Sequence, residues 1–194
     1  MSNSVNAYSP FVQIDFAQLK TQKSVLEIKE LALLGHVILR GSPDDNEFMA
    51  AAEKVLGVSL GMANNTFVSS EQYTVLWYGP DEWLIICQSA ATVELVTELA
   101  HALASVFSSV QDISGGNSVL EISGSSARDL IIKGCPLDLH QSEFSTGQCA
   151  QSLIAKTNIT LLQIDDAPIY RVVVRRSFAD YLGRWLLDSA REFE

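Results

Sequence analysis

The sequence predicts an α+β fold built from two tandem β-α-β-β-α units. Three observations point there: amphipathic helices alternate with short apolar strand runs, the same element order occurs twice, and 47% of the 194 residues are apolar, enough to bury a sizeable core. An offset of 82 residues superposes Val37 on Val119, Phe48 on Leu130, Val96 on Phe178, Leu99 on Tyr181 and Leu103 on Trp185. One strand and two helices of each half then fall in register. Residue identity between the halves is negligible, so what repeats is an architecture, close to the split βαβ pattern. The expected organisation is a polar lead-in over 1–30 and a single body over 31–194, with pseudo-repeats at 31–117 and 118–194.

Taken in order, Leu31 to Arg40 reads as a strand, its Val37-Ile38-Leu39 core apolar and mostly β-branched, ending at Gly41-Ser42-Pro43. A helix follows. Ser42 suits its cap, Pro43 its first position and Asp45 a capping box; Phe48, Ala51, Ala52, Val55 and Leu56 recur at helical spacing, and Gly57 stops it. Tyr73–Tyr78 and Trp83–Cys87 flank the turn Gly79-Pro80-Asp81-Glu82 and read as a hairpin. A second helix has Val96, Leu99, Ala100, Leu103 and Phe107 as its expected buried stripe, before a strand at Val110–Ile113 and the turn Ser114–Asn117.

The order then restarts with a strand at Val119–Ser123, a Gly/Ser turn at Gly124–Ser126, and a short helix with Ala127, Leu130 and Ile131 on one face, ended by Gly134 and Pro136. Strands are expected near Ala150–Ala155, Ile159–Ile164 and Ile169–Val174. The last helix starts at a second capping box, Ser177 to Asp180, with Phe178, Tyr181, Leu182, Trp185 and Leu186 as its stripe.

Charge and cysteine content narrow the function. Thirteen Lys+Arg against 23 Asp+Glu give a formal charge of −10, and no basic cluster exceeds Arg175-Arg176, so nucleic acid is not an expected partner. Three cysteines, Cys87, Cys135 and Cys149, suggest no disulfide framework and fit a reducing compartment. No apolar run approaches the roughly 18 residues of a membrane span, and Met1 to Phe11 lacks the pattern of a secretory signal. A cytoplasmic protein without membrane contact is expected.

Dinucleotide and phosphate-loop glycine strings are missing, so nothing supports NAD or ATP binding. Ser123 to Ser126 has the composition to aim helix amides at an anion, although such a string ordinarily caps a helix. Cys135, His140 and Cys149 are soft ligands in one neighbourhood, but their spacing matches no short zinc motif. Cys135 follows a helix C-terminus, which disfavours a thiolate, so a buried or turn cysteine is the preferred reading over a nucleophile. The acid–base candidates Asp112, Glu121, Asp165, Asp166, His36 and His101 form no distinctive pair. What stands out is the end of the chain, where Arg171, Arg175, Arg176, Phe178, Tyr181, Arg184 and Trp185 fall within fifteen residues. Arg, Tyr and Trp are the usual anchors of protein interfaces, so a subunit of a larger assembly is expected.

Several strings resemble one family: Tyr78-Gly-Pro-Asp-Glu-Trp-Leu84, Asp112-Ile-Ser-Gly-Gly116, Ala127-Arg-Asp-Leu130, Lys133-Gly-Cys-Pro-Leu-Asp-Leu-His140, Gly147-Gln-Cys-Ala-Gln151 and Val174-Arg-Arg-Ser-Phe-Ala-Asp-Tyr-Leu182. In this order, from about Leu31 to the C-terminus, they resemble the γ subunit of heterotetrameric sarcosine oxidase. The resemblance implies a place beside α, β and δ subunits in a complex that oxidatively demethylates sarcosine to glycine, producing hydrogen peroxide and 5,10-methylenetetrahydrofolate. It also implies a fold similar to the folate-binding domain of aminomethyltransferases. The chain itself is expected to hold no cofactor and no catalytic residue, with FAD, FMN, NAD, zinc and tetrahydrofolate held by partner subunits. A free-standing tetrahydrofolate-binding or one-carbon-transfer protein is the alternative, because fold alone does not settle function. The expected partner contacts are Lys133, Cys135, Pro136, Leu137, Asp138, His140, Arg175, Arg176, Phe178 and Tyr181. Two departures stand out: Ser125-Ser126 replaces a usual Pro-Arg pair, and Gly183 replaces a bulky residue, leaving expected room for a partner side chain against Tyr181 and Trp185.

Overall fold

The structure, a computed structural model, describes residues 8–60 and 63–194. Met1 to Ala7, the start of the expected lead-in, lie outside the described residues. The strands are β1 (Glu27–Leu31), β2 (Leu34–Gly41), β3 (Phe67–Ser69), β4 (Tyr73–Gly79), β5 (Glu82–Gln88), β6 (Ser108–Asp112), β7 (Asn117–Ser123), β8 (Cys149–Ile154), β9 (Thr157–Asp165) and β10 (Ile169–Arg175). The helices are α1 (Asn46–Leu56), α2 (Thr92–Ala102), α3 (Ala127–Ile132) and α4 (Ala179–Ala190). All pairings are antiparallel and build two five-stranded sheets, β3-β4-β5-β2-β6 and β8-β9-β10-β7-β1. The α+β class and the doubling therefore hold.

The two orders are the same order, with one exchange. β1 runs into β2 through two residues, Leu33 taking a positive φ of 53°, yet β1 pairs with β7 in the other sheet, Glu27 opposite Ser123 and Leu31 opposite Val119. β6 likewise leads into β7 but pairs with β2, Val37 opposite Asp112 and Gly41 opposite Ser108. Divided as β1–β5 and β6–β10, a boundary earlier than the one expected at 117, each half begins with a strand that completes the sheet of the other. This alters the sequence reading in two places. The strand expected over 31–40 starts at Leu34, and residues 27–30 of the expected lead-in form β1 together with Leu31. Phe11, Ile14, Leu26 and Ile28 from the same lead-in are buried in the core of the second half.

Side-chain alternation explains why central strands read as unbroken apolar runs. On β5, Trp83, Ile85 and Cys87 face Phe48, Leu56, Leu95 and Leu99 under α1 and α2, whereas Leu84 and Ile86 face the other sheet. Leu76, Leu84 and Ile86 meet Val119, Cys149, Leu162 and Val173 between the sheets. On the far side Leu130, Ile131, Leu182 and Leu186 of α3 and α4 cover Leu120, Leu161, Tyr170 and Val172. Full burial of such side chains contributes roughly 1.5–3 kcal/mol each. The sheets also touch at their edges, where Phe67 N–H donates to Gly147 O (2.9 Å) and Cys149 N–H to Asn65 O (2.8 Å).

Helix ends depart from the expected caps. Asp45, not Ser42, caps α1, its Oδ1 accepting from the N–H groups of Glu47 and Phe48. Ser177 caps nothing, because a 3-10 turn over Arg176–Phe178 precedes α4. The buried stripe of α2 is Thr92, Leu95 and Leu99, joined by Leu103; Ala100 is exposed and Phe107, past the helix, is fully so. That of α4 is Ala179, Leu182, Gly183, Leu186 and Ala190, leaving Phe178 and Tyr181 outside.

The N-terminal segment also decides two glycine positions. A Cβ at Gly183 would lie 2.5 Å from Ile14 Cδ1 and 3.2 Å from Phe11, so the room expected for a partner is filled by this chain's own Phe11 and Ile14. At Gly124, φ is +106° and a Cβ would lie 2.6 Å from Val25 O and 2.9 Å from Leu26 N, main-chain atoms that have nowhere to go. Gly124→Ala is expected to destabilise the protein by about 2–4 kcal/mol, adding backbone strain to overpacking, as a lowered denaturant midpoint would show.

Candidate functional site

Two adjacent arginines at the end of β10 have different surroundings. Arg176 Nη2 donates to Tyr8 O (2.8 Å), and its guanidinium sits 5.0 Å from the Tyr8 ring centroid, fastening the N-terminal segment. Arg175 is exposed and lines a cleft of about 450 Å³. Its floor is the end of the second sheet that extends past the contact between the sheets, with Asn117 opposite Arg175, and Val173 opposite Thr160. Tyr78 enters from β4 as one wall, its hydroxyl 2.7 Å from Thr160 Oγ1 and its carbonyl accepting from Gln151 Nε2 at 2.9 Å. Burial pushes the Tyr78 phenol up, against the opposing pull of the Thr160 bond and the Arg175 charge.

Leu153 and Phe178 form the apolar rim, 40% and 47% exposed. Tyr181, 40% exposed, stands one turn beyond Phe178 on the same face of α4. Of the expected contact residues, the structure therefore gathers Arg175, Phe178 and Tyr181. Arg176 is not in this lining and bonds Tyr8 instead. Sequence reasoning missed Tyr78, Asn117, Gln151, Leu153 and Thr160, whose meeting depends on strand register.

The 133–140 string reaches the cleft only through Cys135, which touches Ser152 of the lining. Lys133 Nζ donates to Ser189 O (2.6 Å), pairs with Glu192 (3.0 Å) and sits 5.1 Å from the Phe193 ring, so it secures the C-terminal end of α4. With a rise of 1.5 Å per residue, that end is about 16 Å from Phe178. Cys135 is buried, Sγ 3.7 Å from Ser152 Oγ, and Leu137 packs on the core. Asp138 Oδ1 accepts from His140 N–H (2.9 Å), and His140 Nδ1 lies 2.8 Å from Ser142 Oγ, both bonds closing a turn. Pro136, Asp138 and His140 are exposed. Cys135 is 6% exposed and Leu137 is half-buried.

The other candidates are spent locally. Cys149 Sγ is held at Thr66 O (3.3 Å), and no group of three His, Cys, Asp or Glu converges as metal ligands among the described residues. Ser125 N–H and Ser126 N–H, the expected anion donors, donate to Ser24 O and Val25 O. Asp112 Oδ1 accepts from Ser114, Asp165 Oδ1 from Ala167 N–H, and Asp166 Oδ1 from Thr146 Oγ1. Glu121 is gripped by Lys29 (2.7 Å) and Arg171 (3.0 Å); burial alone would raise its pKa, but the two cations hold it below the usual value.

Comparison with known proteins agrees with the fold and the motifs. Residues 40–192 match the sequence profile of the "Sarcosine oxidase, gamma subunit family". The chain belongs to that family. It is 34% identical over 169 residues to a sarcosine oxidase subunit gamma of Corynebacterium sp. (strain P-1), covering 87% of this chain and 81% of that one. A sarcosine oxidase subunit gamma of Arthrobacter sp. is 32% identical over 178 residues, covering 91% and 85%. A chain of the heterotetrameric sarcosine oxidase from Corynebacterium sp. U-96, solved with pyrrole 2-carboxylate, superposes with a TM-score of 0.87 at 28% identity over 96% of both chains. The glycine cleavage system aminomethyltransferase T from Bartonella henselae shares the fold, with a TM-score of 0.64 at 11% identity, covering 87% of this chain and 47% of that one.

Two titrations follow from this geometry. His36 is 1% exposed, neither ring nitrogen completes a hydrogen bond, and burial lowers its pKa to about 4, offset only in part by the Leu34 carbonyl and Asp112. Between that value and an unfolded value near 6.5, only the unfolded chain takes up the proton, so stability falls as pH drops through this window, by about 3 kcal/mol in all. His36→Leu is expected to flatten the stability profile there by about one proton, as urea titrations at successive pH values would show. Burial pushes the Cys149 thiol to about 12 and also raises that of Cys87. Both are expected to resist iodoacetamide at pH 8 in the native protein and to label fully in denaturant.

Proposed function

We propose that the chain serves as the non-catalytic γ subunit of a sarcosine oxidase, contacting the other subunits through the face that carries Arg175, Phe178 and Tyr181. The exposed part of the 133–140 string, Lys133, Pro136, Asp138 and His140, is a second contact. The observation that carries this reading is the 0.87 superposition over 96% of both chains on a subunit of such an assembly, joined to the exposure of two aromatic side chains at the start of α4. Oxidative demethylation of sarcosine to glycine, with hydrogen peroxide and methylenetetrahydrofolate as products, is then work of the α, β and δ subunits. FAD, FMN, NAD, zinc and tetrahydrofolate are held there. Three free, buried thiols support a cytoplasmic setting. No helix among the described residues is long and apolar enough to cross a membrane.

Co-expression with the remaining subunits tests the contact. The double variant Phe178→Ser and Tyr181→Ser is expected to lower recovery of the four-subunit complex ten-fold or more while the isolated subunit keeps its melting temperature. Unchanged assembly moves the interface elsewhere. Sarcosine turnover by the isolated chain, or saturable micromolar binding of tetrahydrofolate to it, would replace this reading with that of a free-standing one-carbon protein.

A further inference from the structure

The exchanged topology produces two clefts related by the repeat, and their differences are informative. Arg175 stands opposite Asn117 at the end of β10, as Gln88 stands opposite Leu34 at the end of β5. Val173 opposite Thr160 likewise corresponds to Ile86 opposite Thr74. The first set floors the 450 Å³ cleft, the second a cleft of about 680 Å³ on the other sheet. In the second cleft the arginine present, Arg171, is neutralised by Glu121, and Glu30 and Glu71 add negative charge. The first cleft has no Asp or Glu in its lining, and Arg175 makes no ion pair among the described residues.

Three arginines make no ion pair among the described residues; of these Arg128 donates to Tyr170 Oη and Arg176 to Tyr8 O, whereas Arg175 has no hydrogen-bond partner either, in a chain of net charge −10. Around Arg175 the lining is neutral and polar, with Asn117, Asn158, Thr160 and the Tyr78 hydroxyl, and the rim is apolar, with Leu153 and Phe178. A guanidinium is suited to forked recognition of a carboxylate, and partial enclosure by apolar walls strengthens that attraction relative to open water. The rim runs directly into the Phe178–Tyr181 face. We infer that this cleft receives an acidic side chain of a partner subunit, its carboxylate on Arg175 and its neighbouring apolar residues on Leu153 and Phe178. The inference rests on the interface reading above and names the chemistry at its centre. Charge complementarity selects the occupant: a basic or purely apolar partner segment leaves Arg175 desolvated and unpaired.

The test uses the complete complex. Arg175→Lys puts an amine where carbodiimide can join it to a touching carboxylate as an amide, with water transferred to the reagent. Carbodiimide treatment of that complex is expected to give a peptide cross-linked from position 175 to an Asp or Glu of a partner subunit. Arg175→Ala is expected to weaken association ten-fold or more and to reduce its salt dependence, with the isolated subunit's melting temperature unchanged. Absence of the cross-link together with unchanged association of Arg175→Ala overturns the inference. If Phe178→Ser and Tyr181→Ser still weaken assembly in that case, the interface reading survives without it; if they do not, both fall. Arg175-dependent binding of free acetate to the intact complex would show a cleft open to small carboxylates, and would also overturn the inference.

Discussion

The structure depends on the exchange of one strand between halves. A sheet ending at β2 or β7 would leave an unpaired row of main-chain donors and acceptors, and the missing strand is supplied from across the molecule. β1 and β6 are only five residues each, and neither has an independent partner within its own half. Neither half completes its sheet without the other. The layer between the sheets follows from this, since the linkers Ala32-Leu33 and Ile113–Gly116 must pass from one sheet to the next at close range.

The exchange also shapes the molecular surface. Two sheets that meet face to face over Leu84, Ile86, Leu162 and Val173 leave one end of each inner face uncovered, and those ends are the two clefts. Their polar residues have opposite fates. Glu121 draws Lys29 and Arg171 into a closed ionic cluster, whereas Arg175, four residues further along β10, lines a cleft of neutral amides and hydroxyls. A buried ion pair adds little to stability, so the contrast bears on recognition.

The N-terminal segment has a structural part that its polar composition hides. Its Ser24 and Val25 carbonyls occupy the amides at the start of α3, and Phe11 and Ile14 fill the groove at Gly183. A helix start that looked available to an anion, and a gap that looked available to a partner, are both closed by the chain itself. Arg176 and Tyr8 hold the same segment from the other end.

What the sequence determined is whatever depends on neighbours along the chain. Helical periodicity located α1, α3 and α4, the Gly-Pro-Asp turn located the β4–β5 hairpin, apolar runs located β8, β9 and β10, and the 82-residue offset exposed the duplication. The concentration of Arg and aromatic residues after Val174 likewise marked Arg175, Phe178 and Tyr181 without any structure. Tertiary structure alone decided the rest, because it depends on pairing across long separations. Strand exchange made part of the lead-in into core and set β1 beside β7. Register brought Tyr78 to Thr160, 82 residues away, and Asn117 to Arg175. The turn after α3 buried Cys135 and packed Leu137 on the core, and Arg176 took the Tyr8 carbonyl while its sequence neighbour Arg175 was left in the cleft.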